Sequence, residues 1–124
     1  MKRLLFPVFV FFAAMSLSAK ETHCVLPPPD GSDVEWSSPS VVGRLEMATP
    51  GEVVIRTAAG KVHTVVIGRK TQLFTAFGGG IEPGQLKAGQ YASVWLKDCR
   101  PPGKSHNRAA VVQVCSLLPE PCPK

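Results

Sequence analysis

The chain has 124 residues, 44% of them hydrophobic, with 12 Pro, 11 Gly and a formal net charge of +5. That length holds one small domain with a thin core, which excludes multi-domain enzymes, repeat arrays and long coiled coils. The density of Val and Ile through the middle of the chain excludes disorder there.

Lys2 and Arg3 precede an apolar run from Leu4 to Ala14, and the small residues Ser16, Ser18 and Ala19 follow. This is the order of a secretory signal peptide: a positive end held back, a short apolar helix, and small side chains before the cut. Residues 1–19 are therefore expected to be an export signal, with cleavage after Ala19 or after Ser18. The run is shorter than the roughly 20 apolar residues that span a bilayer, so no transmembrane segment is expected after its removal. Thr22 and His23 ahead of Cys24 are wrong for lipid attachment. The expected location is the periplasm or the medium.

Residues 20–40 carry Pro27-Pro28-Pro29 and Ser37-Ser38-Pro39. Proline fixes φ and removes a backbone donor, so this segment reads as an extended arm. A strand-rich body follows over residues 41–116. Its predicted strands are 41–47, 52–57, 61–67, 90–97 and 108–114, separated by Gly- and Pro-containing turns. The stretch between 68 and 89 reads as a long connection, with one helical turn near Pro83. Residues 117–124 hold three more prolines and form a Pro-rich tail. In the fourth predicted strand Ala92, Val94 and Leu96 alternate with Tyr91, Ser93, Trp95 and Lys97, and the aliphatic set is expected to point inward. That puts Trp95 on the outer face or under the arm. Gly43, in mid-strand, is expected to mark a bulge or sharp coil. Five short strands of this kind predict an all-β, five-stranded OB-like barrel with Pro-rich extended arms.

Four cysteines, Cys24, Cys99, Cys115 and Cys122, make an even set in an exported small domain, which reads as two disulfides. Three pairings are possible. A hairpin turning near Gly103 puts Cys99 and Cys115 roughly 26 Å apart at about 3.3 Å per residue, far beyond disulfide reach. The favoured pairs are then Cys24–Cys99, tying the arm to the body, and Cys115–Cys122, closing a Pro-containing loop. With no CxxC or HxxxH pair, thiolate ligation of a metal is not expected.

The pattern of Val42-Gly43, Gly51-x-Val53-Val54-Ile55, Val65-x-Ile67 with Thr71, Leu86-Lys87-x-Gly89-Gln90-Tyr91 and Ala109-Ala110-Val111-x-Gln113-Val114 resembles a family of small exported bacterial domains of unknown function. The resemblance covers residues 41–115 and implies an OB-like barrel and an exported location. It implies no catalytic residue. Gln90 stands where that family usually has an acidic residue, and the cysteines and Pro-rich ends are further departures.

Charge is unevenly spread. Between residues 20 and 52, Lys20 and Arg44 face Glu21, Asp30, Asp33, Glu35, Glu46 and Glu52. Beyond residue 52, ten Lys and Arg face only Glu82, Asp98 and Glu120. A basic body attracts anionic partners. Scattered carboxylates and the lack of a Gly-x-Ser-x-Gly elbow argue against an enzyme. Gly68-Arg69-Lys70-Thr71 echoes the end of a phosphate loop, but the required upstream Gly is missing, so it reads as a basic turn.

The expected function is a non-catalytic binding or interaction module of the bacterial cell envelope, without a cofactor. OB-type barrels bind across one face with aromatics that stack and cations that neutralise. Tyr91 and Trp95, with Phe74 and Phe77 nearby, and Arg56, Lys97, Arg100 and Arg108 are the candidate face. The expected partner is an envelope glycan, a lipid headgroup or a protein, since an exported protein rarely meets nucleic acid. The alternative is a periplasmic copper-type carrier using Trp36, Met47 and His63, since soft Cu(I) takes sulfur and imidazole ligands.

Overall fold

The computed structural model describes residues 23–29, 34–104 and 107–121. The expected signal segment, His106 and Cys122 lie outside the described residues. Six strands form: β1 (Val41–Thr49), β2 (Glu52–Thr57), β3 (Val62–Val66), β4 (Gln72–Thr75), β5 (Tyr91–Leu96) and β6 (Asn107–Val114). The only helical elements among the described residues are two 3-10 turns, Pro83–Gln85 and Lys97–Cys99. None is long and apolar enough to cross a membrane.

Turn chemistry sets the first hairpins. Pro50 and Gly51 join β1 to β2, and Thr49 Oγ1 donates to the Glu52 carbonyl at 3.1 Å. Gly60, at φ 83°, lets the chain reverse between β2 and β3. These three strands form an antiparallel meander. β1 also pairs with β5, β5 pairs with β6, and β6 lies parallel to β3, which closes a barrel in the order β1-β2-β3-β6-β5. The architecture is all-β and OB-like, a closed five-stranded barrel with one strand added.

That added strand, β4, falls inside the stretch read from sequence as a connection. Gln72-Leu73-Phe74-Thr75 is only four residues long and lies outside the closed ring. It pairs in parallel with the later half of β6, from Gln72 opposite Val111 to Thr75 opposite Val114. So short an edge segment has no periodicity to read. The Gly78-Gly79-Gly80 run behind it folds into a tight return, with Thr75 N–H donating to Gly79 O at 2.9 Å and Gly78 at φ 96°.

Gly43 has a different role from the one expected. The register slips between Leu45 and Met47, not at Gly43. Gly43 pairs with both Thr57 of β2 and Ala92 of β5, at the point where β1 serves both neighbours. A Cβ there would drive into the Arg56 carbonyl and lie 2.8 Å from Ile55 Cγ2. The residue permits close approach of two backbones.

The lumen is filled by Leu45, Val53, Ile55, Val65, Val112 and Val114, together with Ala92, Val94 and Leu96, the inward set of the fourth predicted strand. Each larger aliphatic contributes about 1.5–3 kcal/mol when fully buried, before the entropy of ordering it. A second apolar cluster of Phe74, Trp95 and Val111, with Cys99 against it, packs separately. Next to it the register slips: Trp95 faces Val111, but Leu96 faces Ala109, so Ala110 is an extra residue in β6. Val111 and its neighbour Val112 are both buried, one in each cluster, because successive residues of a strand face opposite sides.

Gln90 is 1% exposed and fully satisfied. Its Oε1 accepts from Lys87 N–H at 2.9 Å, and its Nε2 donates to the carbonyls of Gln85 and Leu117, both at 3.0 Å. A carboxylate has no proton for those two carbonyls, which accounts physically for an amide at this position.

Candidate binding site: a basic notch beside β6

β6 is flanked first by β3 and then by β4. Val66 of β3 stands opposite Arg108, the last pair of that ladder, and Gln72 of β4 opens the next ladder opposite Val111. Between them, Ala109 and Ala110 have no strand partner from β3 or β4. The turn Gly68–Thr71 spans this gap. It is locked by Thr71, whose Oγ1 accepts from Gly68 N–H at 2.9 Å and donates to Ala109 O at 2.7 Å. Two alanines leave the floor low, and a concavity of about 490 Å³ opens above it.

Four cations line this notch: Arg69 and Lys70 from the turn, Lys97 from the 3-10 turn that follows β5, and Arg108 from β6. No carboxylate is among the lining residues. All four are exposed, and none forms an ion pair among the described residues. A second concavity of about 430 Å³ adjoins the first, shares Lys97 and Arg108, and adds Arg100, Pro101 and Gly103. Its position is set by Asn107, which is buried. Asn107 Oδ1 accepts from Gly103 N–H at 2.7 Å, and Nδ2 donates to Thr64 O and Gly103 O, each at 3.0 Å. This amide ties the β5–β6 loop to β3 and aims the residue after it, Arg108, at the seam.

The structure therefore brings together Lys97, Arg100 and Arg108 of the expected face and separates the rest from them. Trp95 is 2% exposed, and its Nε1 donates to Ser37 O of the arm at 2.7 Å. It has no free ring face and is removed from the stacking set. Phe74 is buried beside it. Phe77 is 79% exposed at the Gly-rich return, away from the cations that line the notch. Tyr91 is half-buried, with the Arg44 guanidinium 5.9 Å from its ring centroid. Arg56 sits on β2 opposite Arg44 and pairs with Glu46. The hydrogen bond and charge of Glu46 hold its guanidinium above the ordinary arginine value.

Arg69 and Lys70 belong to the site although sequence reasoning left them as a turn. The available signal was a basic dipeptide with no acid near it, combined with Ala109-Ala110 in a strand otherwise rich in valine.

The disulfide expected between Cys24 and Cys99 is present, with Cα atoms 5.4 Å apart. Cys115 is also oxidised, and its expected partner Cys122 lies outside the described residues. Ser40 N–H donates to Val94 O at 2.8 Å, and Ser40 Oγ accepts from Leu96 N–H at 3.1 Å, so the arm enters β1 pinned along β5.

Of the three copper-carrier residues, Met47 stands opposite Val54 and His63 opposite the inward Ile55. Since Val54 and Ile55 are adjacent on β2, Met47 and His63 belong to opposite sheet faces. No group of three His, Cys, Asp or Glu that could hold a metal occurs among the described residues.

Fold and site together define a small OB-like barrel with a basic notch at the seam between its third strand and its last. No family model matches the chain, and no curated protein and no solved structure is significantly similar to it.

Proposed function

We propose that this protein is a non-catalytic binding module of the bacterial cell envelope that takes an anionic ligand at the notch between β3 and β6. One observation carries the reading: four cations from three separated chain segments line one concavity that no carboxylate lines. Like charges gathered without counterions repel one another, a cost that an incoming anion relieves. Export is supported by the order of charged, apolar and small residues over 1–19 and by the Cys24–Cys99 disulfide, which persists in oxidising compartments. The resemblance to small exported OB-like domains points the same way. Among envelope glycans, lipid headgroups and proteins, this lining favours partners that present negative charge.

Retention on phosphocellulose at about 0.15 M ionic strength tests the reading, because exposed charges are still felt over about 8 Å there. The native protein is expected to bind and to elute as salt rises. Lys97→Glu with Arg108→Glu is expected to flow through. Lys61→Glu with Lys87→Glu, an equal change in net charge at two exposed lysines outside the notch, is expected to bind as the native protein does. Equal loss in both double variants, or no retention of the native protein, overturns the reading.

A further inference from the structure

The two concavities share a wall. Lys97 and Arg108 line both, Arg69 and Lys70 bound the first, and Arg100 bounds the second. They form one trough with two cationic compartments. Neither compartment is lined by an aromatic residue. That absence discriminates among polyanions, because single-stranded nucleic acids are held by bases stacked on aromatic rings as well as by backbone charge. Here the aromatic best placed for that task, Trp95, is sealed beneath the arm.

The donors that remain suit phosphate. The guanidiniums of Arg69, Arg100 and Arg108 can each present two parallel N–H groups to a tetrahedral oxyanion, and Lys70 and Lys97 act as point charges. The main-chain N–H groups of Arg69 and Lys70 donate no hydrogen bond among the described residues, so the turn offers backbone donors beside its side chains. Each phosphate within a chain carries one charge at neutral pH and a terminal monoester up to two, so successive phosphates set several charges along the trough where a single carboxylate sets one.

We propose that this trough binds a linear polyanion carrying successive phosphate groups, with one phosphate in each compartment and with charge read in preference to rings. The proposal rests on the anion-binding reading above and adds ligand class, valence and layout. Inorganic polyphosphate and a phosphorylated glycan share this chemistry and are separated by using both as probes.

Calorimetric titration with orthophosphate, tripolyphosphate, a longer polyphosphate, a phosphomannan oligosaccharide and an oligodeoxythymidylate matched in charge to the long polyphosphate tests it. Affinity is expected to rise at least tenfold from orthophosphate to the chains that reach both compartments. The polyphosphate or the phosphomannan is expected to exceed the oligodeoxythymidylate by at least tenfold, and the tighter of the two identifies the source. Arg69→Ala and Arg100→Ala are each expected to abolish most of the gain with chain length while leaving orthophosphate binding within about threefold, since each leaves one compartment intact. If no anion binds, the anion-binding reading itself fails. If anions bind with no gain from chain length, or if the two variants leave that gain unchanged, the two-compartment proposal fails and the simpler reading stands. If the oligodeoxythymidylate binds as tightly as the phosphate polymers, the ligand class is wrong and a nucleic acid takes its place.

Discussion

Two regions of the outer surface around β5 and β6 have opposite fates. Beside the later half of β6, Phe74, Trp95 and Val111 form an apolar cluster that the arm covers through the Trp95–Ser37 hydrogen bond and the Cys24–Cys99 disulfide. Beside the earlier half, Arg69, Lys70, Lys97 and Arg108 stand open around a floor of two alanines. The chain spends its proline-rich segment and a cross-link on the first region and leaves the second to solvent. Apolar side chains gain by being covered, whereas exposed cations keep their hydration until an anion offers more. An aromatic residue on an outer strand face is thus not by itself a ligand platform, and here it is part of a second core.

The largest expected effect comes from opening the sealed region. Replacing Cys24 and Cys99 together by Ser removes a link spanning 75 residues, worth about 4 kcal/mol in the chain-entropy account. Denaturant melts in a Trp36→Phe background should show that loss, with Trp95 emission shifted to the red before global unfolding. The folded protein should still bind phosphate polymers as before. Unchanged stability and emission would mean that the arm is not what seals Trp95.

A smaller effect is expected at the open region. Ala110→Leu raises the floor of the notch and should weaken polyanion binding about tenfold, roughly 1.4 kcal/mol, with little change in melting, because Ala110 is only half-buried. Unchanged affinity would show that the ligand does not enter the notch.

The smallest effect sharpens the contrast with a third place, where Arg56 already has Glu46 as its partner. Glu46→Gln should leave the thermal midpoint and the salt needed for elution within experimental scatter, since exposed ion pairs are weak and screened. Retention that increases as much as the notch variants reduce it would make the Arg44–Arg56 surface a binding site as well.

The strand pattern was largely legible. Alternation in Ala92, Val94 and Leu96 located the lumen because side chains on a pleated strand repeat every two residues. Spacing along a hairpin sufficed to disfavour Cys99–Cys115, and the short Pro-containing loop between Cys115 and Cys122 pointed to Cys24–Cys99, which the structure contains. The four-residue β4 was not legible, since so short an edge strand forms only because β6 presents an open ladder to it. Nor was the bulge at Ala110, which reverses the facing of every residue beyond it.

What the amino-acid order determined alone is the set of local preferences: turns at Gly and Pro, period-two strands, an even cysteine count and a basic second half. Tertiary structure alone decided which cations share a wall and which aromatic is hidden. Arg69, Lys97 and Arg108 are neighbours only because β3 and β6 run parallel across the closing seam of the barrel. Such non-local pairings depend on register and closure, which no window of sequence contains.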